Sequence, residues 1–131
     1  MRVISVLARE ILLGAIIGLI AAILAGALEV GQPAPDFTLA APGGKLVRLA
    51  DLLAKGPLIL YVFQTAYNTT CIDEIGGFEK SLAKFDAAGV QLVGVSPDHV
   101  DTLDAIVRAN KIQHLILSDF RRQTLPAYGP W

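Results

Sequence analysis

LILYVFQTAYNTTCIDEIGGFEKSLAKFDAAGVQLVGVSPD, residues 58–98, sets two apolar runs either side of a helix-length segment. The first run, Leu58-Ile59-Leu60-Tyr61-Val62-Phe63, is apolar on both faces. That pattern predicts a strand in the middle of a sheet, covered on both sides. The second, Val90 to Val95, reads the same way. Between them Phe78, Leu82 and Phe85 recur on one helical face, and Gly89 suits the left-handed position that ends a helix. Gln64 to Thr70 forms a polar loop between the first strand and that helix, and Cys71 follows it.

Working outward, Ser96-Pro97-Asp98 offers caps for a helix with Leu103, Ile106 and Val107 facing inward. His114 to Leu117 reads as a third strand. Asp119, Arg121 and Arg122 then lead into a short segment interrupted by Pro126. Upstream, Asp36 to Leu39 and Lys45 to Leu49 alternate polar and apolar residues around Gly43-Gly44, which predicts a hairpin. Leu49 to Lys55 can form a short helix ending at Gly56. Strand-helix-strand-helix-strand at this spacing predicts an α/β fold built on a parallel sheet.

The hydrophobic fraction, 53%, is high, and most of the excess lies in one place. From Ile11 to Leu28 no side chain is charged or polar. As a helix this run would rise about 27 Å, close to the thickness of a bilayer core. Arg2 and Arg9 precede it, a flank that stays cytoplasmic and directs the following domain outward. The expected organisation is a transmembrane signal anchor over 1–28, a Gly/Pro-rich linker over 29–35 and a domain over 36–131. The expected location is a membrane, with the domain exported to a bacterial periplasm or the cell exterior. The alternative is secretion after cleavage, since Ala25-Gly26-Ala27 has the small-x-small form of a signal-peptide site. Gly14, Gly18, Ala22 and Gly26 fall every four residues, a stripe on which two helices could pair as a homodimer. Small residues are also simply common in such helices.

Net charge is −1 and no basic run follows Arg9, which argues against nucleic acid as a partner. A single cysteine excludes an intramolecular disulfide and a multi-cysteine metal site. A lone cysteine is either packing or a working thiol. Cys71 stands between a central strand and the following helix, where open α/β sheets bind ligands. Free N–H groups and the helix dipole favour a thiolate there, and the thiolate is the nucleophile. Thr69 and Thr70 add hydroxyls beside it. Arg121 or Arg122, after the third strand, could reach the same sheet edge. The plain alternative is a buried structural cysteine with solvated arginines.

From Val30 to Gly129 the chain resembles the peroxiredoxin family, the alkyl-hydroperoxide-reductase and thiol-specific-antioxidant group. VGQPAPDFTL, LILYVF, CIDEIGGFEKSLAKFDAAGVQLVGVSPD and LILSDFRRQTLPAYG carry the likeness. It implies a thioredoxin-like sandwich with a peroxidatic cysteine at Cys71 and no metal or organic cofactor. It also implies that Arg122 stabilises the thiolate and polarises peroxide, with Glu74 orienting the arginine. For Glu74 the alternative is a solvated acid near a helix start. The family pattern P-x-x-x-T-x-x-C has Gln64 at its proline and Asn68 at its threonine, so Asn68, Thr69 and Thr70 become the candidate peroxide donors. Gly76 stands where one subgroup has a resolving cysteine. Turnover would then use an external thiol or a thioredoxin-like reductant. Family members continue past AYG with a hairpin and a final helix, so the expected sandwich lacks these, and one side of LILYVF lacks its neighbour.

The expected function is a thiol-dependent peroxidase acting on hydrogen peroxide or organic hydroperoxides. The alternative is a thioredoxin-like binding or scaffold module without turnover, or a truncated fragment, suggested by Gln64, Asn68 and the missing hairpin. Dithiol exchange is disfavoured because a Cys-x-x-Cys pair is absent, and zinc or iron binding for want of clustered ligands.

Overall fold

The computed structural model describes residues 28–129. The expected anchor over 1–28, its glycine stripe and its cleavage site therefore lie almost wholly outside the described residues. No helix among the described residues is long and apolar enough to cross a membrane.

Five strands form one mixed sheet: β1 (Thr38–Ala40), β2 (Leu46–Arg48), β3 (Leu58–Val62), β4 (Gln91–Ser96) and β5 (Leu115–Ser118). Their order across the sheet is β2-β1-β5-β4-β3. β1 and β2 form the expected antiparallel hairpin, joined through a 3-10 turn at Pro42–Gly44. β1 also meets β5 antiparallel at Ala40 and Ser118, while β3, β4 and β5 run parallel. Four helices complete the fold: α1 (Leu49–Leu53), α2 (Thr69–Ala87), α3 (Val100–Asn110) and α4 (Leu125–Tyr128).

Strand alternation divides the core in two. On β4, Val93 and Val95 join Phe37, Leu39, Leu49, Leu52, Leu117 and Leu125 on one face. Leu92 joins Tyr61, Phe63, Cys71, Ile75, Leu103 and Ile116 on the other. Two successive crossovers, β3-α2-β4 and β4-α3-β5, step the same way across the sheet, so right-handed connections put α2 and α3 on one side. α1 and α4 supply residues to the opposite face.

The central position read from the apolar pattern of β3 is corrected, while the expectation drawn from the resemblance, that one side of this strand lacks a neighbour, holds among the described residues. Among the described residues β3 is an edge strand, paired only with β4, and Val62 is 40% exposed. Apolarity on both faces reports two-sided cover; it does not count strand neighbours. The strand buried throughout is β4, where residues 92–96 are all buried.

The capping of α3 also differs. His99 is its N-cap, with Nδ1 accepting the Asp101 N–H at 3.3 Å. Asp98 points elsewhere, as described below. Pro126 lies in the first turn of α4, where a missing N–H costs nothing, and so starts this segment instead of interrupting it. α2 ends at Gly89 as expected. Gly89 has φ +69°, its N–H donates to Asp86 O and the Val90 N–H donates to Phe85 O. These two bonds satisfy the last carbonyls.

Candidate active site

The parallel direction of β3, β4 and β5 sends the three following loops to one edge of the sheet. The β3 loop leads into α2. Asn68 is the N-cap of α2, its Oδ1 accepting the Thr70 N–H at 2.9 Å. Cys71 is the third residue of the helix and is buried, 9% exposed, in the cluster with Tyr61, Phe63, Ala66 and Ile75. Asn68, Thr69 and Thr70 are exposed just before it. The structure thus brings together four of the expected site residues, Asn68, Thr69, Thr70 and Cys71, at one helix start. Asn68 spends its carbonyl oxygen on the cap and keeps its amide N–H groups for other acceptors. Glu74 lies one turn further on and is exposed.

Asp98 shapes the loop that delivers Cys71. Its Oδ2 accepts the Ala66 N–H at 2.5 Å and the Ser96 hydroxyl at 3.0 Å. Its Oδ1 accepts the Thr65 hydroxyl at 3.3 Å, and Thr65 Oγ1 accepts the Tyr67 N–H at 3.2 Å. One carboxylate at the end of β4 therefore ties down the turn between β3 and α2. The pattern Ser-Pro-Asp before a helix reads as a cap. Nothing local in the sequence shows that its partner sits 32 residues upstream.

Asp119 organises the loop after β5. It is 2% exposed and accepts three backbone N–H groups. Gln123 donates to Oδ1 at 3.0 Å, while Thr124 and Leu125 donate to Oδ2 at 2.9 and 2.7 Å. The Arg122 N–H donates to Asp119 O at 2.7 Å, and Arg122 holds φ +52°. Arg122 thus sits in a tight, carboxylate-built turn at the same sheet edge as Cys71, with β4 between the strands that carry the two loops. A cleft of about 400 Å³ beside this turn is lined by Thr38, Leu46, His99, Phe120 and Arg121, and Cys71 is not among its lining residues.

The AhpC/TSA family model matches residues 30–131. The chain belongs to the AhpC/TSA family. A protein of Haemophilus influenzae, provisionally named peroxiredoxin bcp, is 32% identical over 104 residues, 79% of this chain and 66% of that protein. Peroxiredoxin Bcp of Bacillus subtilis is 28% identical over 104 residues, covering the same shares. The crystal structure of peroxidoxin BcpB from Mycobacterium tuberculosis superposes with a TM-score of 0.72 at 26% identity, covering 75% of this chain and 64% of that one. The chain therefore spans about two thirds of the length of the curated AhpC/TSA relatives it matches. The expected thioredoxin-like α/β fold is borne out by this likeness, with a mixed sheet in place of a wholly parallel one.

One buried polar group went unread in the sequence. On the α2 side of the sheet, Tyr61 Oη lies 2.7 Å from His114 Nε2, and His114 Nδ1 lies 2.6 Å from Glu79 Oε2. Glu79 Oε1 accepts the Gln113 N–H at 3.0 Å. Burial pushes the Glu79 carboxyl up, but hydrogen bonds from the His114 side chain and from the Gln113 and His114 backbone outweigh it and hold it below the usual range. Burial, followed by the Glu79 charge, drives the Tyr61 phenol far above its ordinary value.

Proposed function

We propose that the chain is a thiol-dependent peroxidase that reduces hydrogen peroxide or organic hydroperoxides through Cys71. The position of Cys71 in the first turn of α2, at the carboxyl edge of three parallel strands, carries this reading. Backbone N–H groups and the helix dipole stabilise a thiolate there. The thiolate attacks one peroxide oxygen, an S–O bond forms and the O–O bond breaks. The sulfur loses two electrons to become a sulfenic acid, and the departing oxygen leaves as alkoxide or hydroxide and takes a proton. Arg122 would polarise the bond being broken, and the Asn68 amide with the Thr69 or Thr70 hydroxyl would hold the peroxide. Glu74 would orient the arginine. Cys71 is the only cysteine, so an external thiol attacks the sulfenic acid, releases water and forms a mixed disulfide that a second thiol resolves. Stopped-flow reaction with hydrogen peroxide, with mass-spectrometric trapping of sulfenic acid, tests the reading. Trapping on Cys71 and its loss in Cys71→Ser are expected. A rate no faster than that of free cysteine would refute it.

We also propose that residues 11–28 tether the domain to a membrane, on the strength of their uninterrupted apolar run behind Arg2 and Arg9. Recovery of the expressed full chain from the soluble fraction with its first 28 residues intact would overturn that.

A further inference from the structure

Tyr61, His114 and Glu79 take no part in the peroxidase chemistry above, yet their site is built from four separate elements. The Tyr61 ring stacks on Phe78 of α2, centroids 4.4 Å apart at 27°. Across the sheet its partner is Gly94, where a Cβ would lie 2.7 Å from Tyr61 Cζ and Oη. A glycine at that point makes room for the phenol to reach His114. His114 has a side chain only 1% exposed, whereas Glu79 at 19% opens to solvent. A neutral imidazole with its proton on Nδ1 satisfies every member: the Tyr61 O–H donates to Nε2, and Nδ1–H donates to the Glu79 carboxylate. This assignment follows from the hydrogen-bond pattern. The result is a continuous proton path from a buried phenol to a water-facing carboxylate.

Such a path has a specific chemical consequence. A phenol is hard to oxidise when its proton has nowhere to go, because the cation radical left behind is a strong acid in a low-dielectric site. Here the proton can cross one hydrogen bond as the electron leaves. The imidazolium that forms is paired at once with Glu79, so no uncompensated charge is left in the core.

We propose that Tyr61, with His114 and Glu79, is a one-electron oxidation site that quenches organic peroxyl radicals. Tyr61 is 8% exposed, so the electron crosses to the peroxyl radical while the reactants stay apart. The peroxyl radical gains that electron and a proton from water and becomes a hydroperoxide. The phenol loses the electron, its O–H proton passes to His114 Nε2, and a neutral tyrosyl radical remains. A thiol of the class that would serve Cys71 returns one electron, gives its proton to the hydroxide left by that water and becomes a thiyl radical, two of which couple to a disulfide; the phenol proton comes back from His114. The hydroperoxide released is of the class proposed as the Cys71 substrate, but the radical step does not depend on that thiol.

The test uses the full chain carrying Cys71→Ser, Tyr67→Phe, Tyr128→Phe and Trp131→Phe, which removes the thiol, the indole and both other phenols and separates this step from peroxidase activity. Trichloromethylperoxyl radical is generated by pulse radiolysis, and tyrosyl radical is followed by absorption and electron paramagnetic resonance. Tyr61→Phe should then remove the tyrosyl signal. His114→Phe should slow radical formation at Tyr61 by about tenfold, equivalent to about 1.4 kcal/mol of barrier. Formation in the background with His114 intact should be slower in D₂O. A signal that survives Tyr61→Phe overturns the proposal, as does a His114→Phe variant altered in thermal stability but not in rate. Should either variant fail to fold, the background protein decides alone. A hydrogen-bonded tyrosyl spectrum with the solvent isotope effect supports the site, and the absence of either refutes it.

Discussion

Replacing Asp119 with asparagine exchanges one oxygen for an NH₂ group and leaves the shape of the side chain intact. The carboxylate serves three backbone donors, one on Oδ1 and two on Oδ2. An amide has one acceptor oxygen. Its better orientation places that oxygen at the Oδ2 position, keeping Thr124 and Leu125, and turns its NH₂ against the Gln123 N–H. One bond to a charged acceptor, worth about 1.5–3 kcal/mol, is lost, and two others weaken toward the neutral range of about 0.5–1.5 kcal/mol. Gln123 is exposed, so water can recover part of the first loss. The expected destabilisation is about 2–4 kcal/mol, a large fraction of the roughly 5–15 kcal/mol that holds a typical domain. With a urea m-value of about 2 kcal/mol per molar, the unfolding midpoint should fall by about 1–2 M. A peroxide rate measured in the still-folded variant reports separately on the Arg122 turn, and should drop if Asp119 places that arginine. A midpoint shifted by less than about 0.3 M would mean that the three bonds do not organise the turn, and the reasoning would fail.

Asn68→Ala removes the N-cap of the helix bearing Cys71 and should cost about 1 kcal/mol, read by thermal unfolding. A peroxide rate that falls further than the cap loss explains would add a substrate role for the Asn68 amide. Gly94→Ala would force a Cβ to within 2.7 Å of Tyr61 and 2.8 Å of Ile116, so overpacking of about 1–3 kcal/mol is expected, with loss of the Tyr61–His114 bond visible in the tyrosine ultraviolet spectrum. Glu79 has its carboxyl depressed below 4.5, so its contribution is full above that value and is lost as pH falls through the folded pKa. Unfolding midpoints across this acid range should fall less steeply in Glu79→Gln than in the unaltered chain. At alkaline pH the sign follows from Tyr128, raised to about 12 by burial and then by the Asp36 charge. Its contribution is present below 10 and is lost as pH rises toward 12, which spectrophotometric titration alongside urea unfolding would show.

Much of this molecule is legible in one dimension because its signals are local. Periodicity located all five strands, and the position of Cys71 followed from a strand-loop-helix boundary visible within a dozen residues. What escaped was non-local. Asp98 looks like a helix cap until its partners Thr65 and Ala66 are seen across the sheet edge. Tyr61, Glu79 and His114 come from three elements, and each alone resembles an ordinary strand, helix or loop residue. Gly94 interrupting an apolar strand was the available clue, since a glycine within a strand often marks a close approach. The edge rank of β3 followed from the resemblance and not from its own side chains. Side-chain pattern records what covers a strand's faces, and edges are settled by backbone pairing that no side chain reports.

The sheet is completed by contacts between distant parts of the chain. β1 meets β5 through Ala40 and Ser118, and the Tyr128 hydroxyl reaches Pro35 O across 93 residues. During synthesis the β1–β2 hairpin emerges well before β5, the strand it docks on. Its apolar side, with Phe37 and Leu39, therefore lacks Leu117 and Leu125, and its strand edge lacks a docking partner, until β5 and α4 have been made. The three parallel strands with α2 and α3 can assemble first, and the hairpin then closes over them. A chain stalled before residue 115 would leave that hairpin apolar and uncovered, so pausing there should expose it to chaperones or to self-association.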